Sequence, residues 1–426
     1  MPSPMARHWV LEPGVDFLNH GSFGATPRVV LAAQQAWRDR MEAEPVRFLA
    51  RDAERHLDEA REALGGFVGA DPEDLAFVPN VTAGFNSILR SLTFEPGDEL
   101  LTTDHAYNAA KNTLEWVARR SGARVVVASV PFPIQSPEEV VAAVLGAVSG
   151  RTRLALLDHV TSPTALIYPI GRLVSELAQR GVDTLVDGAH APGMLDLEVA
   201  SLGAAYYTGN LHKWVCAPKG AGFLWVRRDR QADVRPVAIS HGANSPRVDR
   251  SRFRLEFDWT GTTDPSAYLA VPEALRFGAS LLPGGWAVLR QRNHDLALAT
   301  RNLLCTSLAV DPPAPDEMIG SMASVPFAEW ETGGEVQGID LYGDPIHDAL
   351  IDHGFEVVIT PWPQRPDGGR WRRLVRVSCA AYNDMEQVTR LAAVLPGVVA
   401  GTSGGRRRGA AARRPPETAG EPAGHG

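Results

Sequence analysis

Between residue 27 and about residue 230 the sequence alternates short runs rich in Val, Leu, Ile and Thr with stretches of helical period. This alternation constrains the fold more than any other feature, because repeated strand-then-helix units close as a mostly parallel sheet with helices on both faces. The expected strands are LAFVPN (75–80), DELLTTDH (98–105), ARVVVASV (123–130), TRLALLDHV (152–160), DTLVD (183–187), AAYYTG (204–209) and GAGFLWV (220–226). Between them lie the helical stretches VTAGFNSILRSL, NAAKNTLEWVARRSG, SPEEVVAAVLGAV and GRLVSELAQRG. Upstream, Thr26 and Pro27 read as the cap and first turn of a helix through VVLAAQQAWRDRMEA, and a second helix runs from about Ala53 to Val68. Residues 235–265 read as loop. A smaller α/β unit begins near residue 285 and ends with RRLVRVSCA and NDMEQVTRLAAVL. The Gly-, Ala-, Arg- and Pro-rich tail after residue 400 is expected to be disordered.

A chain of 426 residues exceeds what one hydrophobic core usually serves, so two domains are expected. The net charge of −8, with no basic stripe in the folded part, argues against nucleic acid and for a small-molecule partner. The three cysteines, Cys216, Cys305 and Cys379, have neither disulfide-framework nor zinc spacing, so no metal is expected. The N-terminus lacks a secretory signal pattern, and no run reaches the ~18 apolar residues of a membrane span. A cytoplasmic protein without membrane contact is the expectation.

Only three of 42 basic residues are lysines, Lys111, Lys213 and Lys219. Arginine stays protonated, whereas a desolvated lysine can lose its proton and form a Schiff base. Lys213 stands in TGNLHKWV, beside Asn210, His212 and Trp214, soon after an expected strand. Lys111 falls inside a helix, where a solvated role is expected, and Lys219 falls in a Pro-Lys-Gly turn. In open parallel sheets ligands sit beyond the carboxyl ends of the strands. There, Asn80-Val-Thr-Ala-Gly84 opens a helix with free amides and the Thr82 hydroxyl suited to a phosphate. Asp187 ends an apolar strand, where a protonated ring nitrogen would satisfy its carboxylate. A phosphate-ready helix start, a buried aspartate and a desolvated lysine together match the needs of pyridoxal 5′-phosphate.

The segments NHGSFGATP (19–27), PVRFL (45–49), NVTAGFN (80–86), TDHAYNA (103–109), LVDGAHAPG (185–193), GNLHKW (209–214) and PKGAGFLWV (218–226) resemble the isopenicillin N epimerase-like branch of the class V aminotransferase family, over roughly residues 15–395. The resemblance implies a type I pyridoxal-phosphate transferase fold, α/β, with a large cofactor-binding domain over 27–280 and a smaller C-terminal α/β domain over 281–400. A substrate-facing segment (1–26) would precede them and the tail (401–426) would follow. It further implies a homodimer with active sites at the subunit interface.

Carried over by motif, Lys213 would be the Schiff-base lysine and Asp187 the partner of the ring nitrogen. His105 would stack on the ring, with Tyr107 as the fallback. Thr82, Ala83, Gly84, Asn210 and His212 would form the phosphate shell, and His190 would contact the phenolic oxygen. Thr262 and Thr263, after Gly261, would reach the partner subunit's phosphate. Arg376 would bind the substrate α-carboxylate through its planar fork, with Asn19 and His20 nearby. Trp9, Arg47, Phe48, Trp259, Trp362 and Arg365 are candidates to shape a pocket, although ordinary packing or surface charge is the expectation for most; Trp362 with Arg365 is the pair to mutate first.

The sequence departs from the persulfide-forming desulfurases of the family. EVVITPWPQRPDGGRW, before Arg376, contains no cysteine, and Cys216 and Cys379 read as small buried hydrophobes. The chemistry implied is proton removal from Cα of an amino acid through an external aldimine, with Lys213 as base. C–S β-elimination of a cysteine conjugate in specialised metabolism is favoured. Epimerisation, with His105 or Tyr107 as a second acid, transamination and decarboxylation-coupled oxidative deamination stay open, as does a catalytically idle binding protein.

Overall fold

The computed structural model describes residues 3–331, 343–363 and 370–403. Arg365 and the tail beyond residue 403 lie outside the described residues. Asp16–Phe17 (β1) is a short strand near the N-terminus. The seven strands that follow are Leu75–Val78 (β2), Glu99–Thr103 (β3), Arg124–Ala128 (β4), Thr152–Asp158 (β5), Asp183–Gly188 (β6), Tyr206–Asn210 (β7) and Gly222–Val226 (β8). They form one sheet in the order β2-β8-β7-β6-β5-β3-β4. Five of them, β7, β6, β5, β3 and β4, run parallel; β8 is antiparallel to both β7 and β2.

Helices cover both faces, so β2, β3, β7 and β8 are buried at every residue. That double burial explains their near-continuous apolar character, since a parallel sheet has no solvent face. Two local expectations are corrected. The Thr26 hydroxyl does not cap the following helix; it donates to the Ala217 carbonyl at 3.2 Å, and Pro27 occupies the cap position of Arg28–Ala43. The stretch read as loop contains a helix, Arg252–Phe257, capped by Ser251 and packed through Phe253 and Phe257. Its arginines mask the apolar period, and they are held in ion pairs: Arg254 with Glu73 at 2.7 Å, and also with Asp58.

The C-terminal part supplies Met322–Glu331 (β9), Phe355–Glu356 (β10), Val358–Trp362 (β11) and Arg370–Ser378 (β12). Strands β11, β12 and β9 form an antiparallel sheet in that order, against which helix Gly285–Leu308 packs, itself in contact with helix Met385–Ser403. The N-terminal segment is stitched to this part, because β1 pairs in parallel with β10 and the Ser378 amide donates to the Leu18 carbonyl at 2.7 Å. Trp9 is buried edge-on against Phe277 and Tyr382, a packing role.

The direction of the strands places the site. Residues after β2, β3, β5, β6 and β7 all emerge at the same, carboxyl-terminal edge of the large sheet, which brings Asn80, His105, Asp158, Asp187 and Lys213 to one side.

Candidate active site

Lys213 sits three residues beyond β7, in a segment whose backbone is gripped from both sides. A Cβ on Gly24, which has φ +70°, would fall 2.0 Å from the His212 carbonyl oxygen, and one on Gly193 would fall 2.6 Å from the Trp214 carbonyl. Only glycine permits such approach. His20 adds a hydrogen bond to the Lys213 carbonyl from Nε2, at 2.8 Å. A carbonyl only accepts, so Nε2 carries the proton and Nδ1 accepts from the Tyr382 hydroxyl at 2.6 Å. His20 is therefore committed to the lysine segment.

The Lys213 amine lies 3.1 Å from His190 Nε2. Burial and the Arg376 guanidinium lower its pKa to about 7, against the opposing pull of Asp187 and Asp158. Burial, reinforced by the Lys213 charge, also holds His190 neutral. Its Nδ1 is buried and has no hydrogen-bond partner among the described residues.

Asp187 is 3% exposed, and its Oδ1 accepts from the Ala189 amide at 2.9 Å. Burial raises its pKa to about 6, although that amide and Lys213 favour the charged form. Its cross-strand partner in β5 is Asp158, 2% exposed, which sequence reasoning passed over. The signal was present, since Asp158 ends the apolar run TRLALLD just as Asp187 ends DTLVD.

At the start of helix Val81–Ser91 the Asn80 side chain caps the Ala83 amide at 2.9 Å, and Asn210 Oδ1 accepts from the Val81 amide at 3.0 Å. The Gly84 amide bonds back to the Asn80 carbonyl at 3.1 Å. Of the first-turn amides, Thr82 is the one with no acceptor among the described residues, and its side chain is exposed. Gly84 is required by packing, because a Cβ there would meet Thr208 Oγ1 at 2.1 Å. His212 is half-buried and gives Nδ1–H to the Ala221 carbonyl at 3.2 Å, leaving Nε2 without a hydrogen bond among the described residues. Thus Ala83 and Gly84 contribute shape rather than free donors, while Thr82, Asn210 Nδ2 and His212 Nε2 keep polar atoms in hand.

His105 is fully buried, with Nε2 donating to the Val130 carbonyl at 3.0 Å and Nδ1 accepting from Thr164 Oγ1 at 2.7 Å. Desolvation lowers its pKa to about 4. Both ring nitrogens are occupied and the ring is neutral, which does not suit the expected role of proton donor. The Trp362 ring stands 4.4 Å from it, edge-on. Tyr107, at the start of helix Asn108–Ser121, is 38% exposed.

Arg376 is buried on β12. Its Nη1 donates to the Ser162 carbonyl and hydroxyl at 2.6 and 3.0 Å, and Nη2 donates to Ser22 Oγ at 2.9 Å. Ser22 donates in turn to Asn19 Oδ1 at 2.6 Å, so Asn19 stands one hydroxyl removed from the guanidinium. Ser22 and Ser162 carry no sequence signal of this role.

Lys111 is a correction. It is 8% exposed rather than solvated, with Nζ 3.4 Å from the Asp104 carbonyl. Lys219 is exposed and reaches Thr26 Oγ1 at 3.4 Å. Phe48 is buried in the core, Arg47 is exposed beside Glu44 and Asp52, and Trp259 is half-buried. Thr262 and Thr263 are exposed, away from the chain's own lysine segment in sequence. Burial pushes the thiols of Cys216 and Cys379 up to about 12. Among the described residues no group of side chains could hold a metal ion, and no helix is long and apolar enough to cross a membrane.

The model of the family described as aminotransferase class-V matches residues 18–391. The chain is 39% identical to isopenicillin N epimerase of Amycolatopsis lactamdurans, over 90% of this chain and 95% of that protein. It is 30% identical to a probable chloroplastic L-cysteine desulfhydrase of Arabidopsis thaliana, over 91% of this chain and 84% of that one. Among solved structures, a lysine-to-alanine mutant of C-DES with glycine covalently linked to its pyridoxal-phosphate cofactor superposes with TM-score 0.73 at 20% identity, covering 92% of this chain and 99% of that one. The apo cysteine desulfurase of Thermococcus onnurineus also gives 0.73 at 20% identity, over 94% and 99%. At such identity these two likenesses speak to the fold, a type I pyridoxal-phosphate fold. With nearly the whole chain matched by the family model and close to two-fifths identity to a full-length relative, the chain belongs to the class V aminotransferase family, a family of pyridoxal-phosphate-dependent enzymes.

Proposed function

We propose that this chain is a pyridoxal-phosphate-dependent lyase that cleaves the C–S bond of a cysteine-derived substrate in specialised metabolism. The residues present fit the cofactor. The unpartnered buried Nδ1 of His190 awaits a polar group, the Thr82 amide is open at a helix start, and a neutralisable amine stands near a buried carboxylate. Lys213 would hold the cofactor covalently, Asp187 its ring nitrogen and His190 its phenolic oxygen. Thr82, Asn210 and His212 would hold the phosphate, with His105 against the ring. When bound, the cofactor supplies an aldehyde that condenses with amines and a protonated ring that draws electrons from Cα.

The chain's own part is to place the substrate and move one proton. The Nη1–Nη2 edge of Arg376, fixed by Ser22 and Ser162, suits the α-carboxylate. Lys213, whose pKa lies near 7, takes the Cα proton, and the hydrogen bond to His190 orients its lone pair. The electron pair left at Cα forms the Cα=Cβ bond as Cβ–S breaks and thiolate departs. Trp362, buried beside His105, would border the substrate side chain.

One observation carries elimination over epimerisation: both nitrogens of His105 are engaged. Elimination needs a single base, whereas epimerisation needs an acid on the face opposite Lys213; His105 spends its one N–H on the Val130 carbonyl, which leaves Tyr107 as the remaining candidate acid. The epimerase reading keeps support from the relatives of that name at 39% and 34% identity. The desulfhydrases at 30% and 29% identity favour the lyase. The experiment is incubation with cysteine conjugates in deuterium oxide. Release of thiol and pyruvate supports the lyase, and recovery of intact, inverted substrate with deuterium at Cα overturns it.

Persulfide chemistry is set aside, because the buried cysteine thiols stay protonated at neutral pH. We also assign residues 27–280 to a large domain and 281–400 to a small one. A homodimer is proposed, in which the exposed Thr262 and Thr263 meet the partner subunit's site.

A further inference from the structure

Asp158 and Asp187 are register partners on the parallel strands β5 and β6, each the last acidic residue of its strand. Register partners in a sheet point to the same face, so two carboxyls stand side by side with 2% and 3% exposure. Their surroundings differ. Asp187 takes the Ala189 amide and faces Lys213, both of which favour its charged form. Asp158 has an Oδ2 that is buried without any hydrogen-bond partner. A charged oxygen left so would be costly, while a protonated one carries no charge to solvate. Two like charges this close in a dry site cannot both persist.

We propose that Asp158 is a positioning residue for Asp187: it stands in the folded site as a neutral carboxylic acid and confines the pair's single negative charge to Asp187. One negative charge then meets one protonated ring nitrogen. This rests on the reading of Asp187 as the partner of that nitrogen. The charged and titratable groups facing Asp158 are Lys111 from helix Asn108–Ser121, Lys213 beyond β7, Asp187 of β6 and the Tyr168 hydroxyl. Lys111 and the Tyr107 amide pull toward ionisation, but burial and the Asp187 charge outweigh them and push the Asp158 carboxyl well above the usual range. Tyr207 faces Asp187 from β7 and stays protonated.

The test is infrared spectroscopy of the holoenzyme at neutral pH. The carbonyl stretch of a protonated carboxylic acid is expected in the wild type, shifting in deuterium oxide, and it is lost in Asp158→Asn. Absence of the band from the wild type overturns the proposal, whether or not the variant folds. Cofactor retention is read in parallel. Asp158→Asn, which copies a neutral acid, should change the dissociation constant by less than about threefold, whereas a rise of about tenfold with no band lost shows a charged Asp158 and contradicts us. Asp187→Asn reads the underlying assignment separately. If it binds cofactor as the wild type does, the ring-nitrogen reading fails while the band still reports on Asp158.

Discussion

His20 Nε2 holds the backbone carbonyl of Lys213 at 2.8 Å, across 193 residues of sequence, while Tyr382 holds the other nitrogen of the same ring at 2.6 Å. The N-terminal segment, the Lys213 segment and the C-terminal part thus share one hydrogen-bonded line. His20→Ala is expected to lower turnover on the order of 10–100-fold, the scale of a small displacement of a reacting group. His20→Gln, which keeps a donor, should recover part of it. Steady-state kinetics on both variants checks this, and an undiminished His20→Ala enzyme would contradict it.

Gly24 closes against the same segment from the other side. Gly24→Ala meets a left-handed φ of +70° and a carbonyl oxygen 2.0 Å from the new Cβ. A loss of roughly 1–3 kcal/mol in denaturant unfolding is expected, with slower cofactor incorporation.

The Lys213 amine titrates near pH 7 in the cofactor-free protein. Its capture of added pyridoxal phosphate should therefore rise with pH through about 7, far below the 10.5 of a free lysine. The same shift acts on stability. The folded pKa lies below the unfolded one, so the unfolded chain holds the extra proton from about pH 7 to 10.5, and this group's contribution to stability increases as pH rises across that window. Denaturant unfolding of wild type against Lys213→Met, from neutral to alkaline pH, measures the slope. A capture midpoint above pH 9 would contradict the assignment.

No cysteine is asked to act as nucleophile. Cys216 has a left-handed φ of +62°, so Cys216→Gly should be tolerated, and Cys379→Ala removes a buried thiol bonded to Thr300. Both variants, once folded, should release thiol from a cysteine conjugate within about threefold of wild type, because a thiol held protonated contributes little nucleophile. Loss of release in a folded Cys379→Ala enzyme would restore a persulfide route.

The sheet was legible because burial on both faces leaves uninterrupted apolar strands; Asp187 stood out as a charge ending such a strand, and Lys213 as one of three lysines in an arginine-rich chain. Asp158 bore the same mark and was missed, since no adjacent motif drew attention to it. The helix Arg252–Phe257 was hidden by its arginines, of which Arg254 is paired with Asp58 and Glu73, far away in sequence. Lys111 misled for a similar reason, because a helix shows its period in sequence but not the neighbour that covers each face. The tautomers of His20 and His105 are set by carbonyls more than 20 residues away, which no local pattern encodes.

Lys213 is proposed as the cofactor's covalent anchor. The direct measurement is borohydride reduction of the yellow holoenzyme followed by proteolysis and mass mapping of the attached phosphopyridoxyl group. The label is expected on Lys213, with loss of the visible absorbance band. A label on Lys111 or Lys219, or a protein that neither colours nor labels with added pyridoxal phosphate, would contradict it.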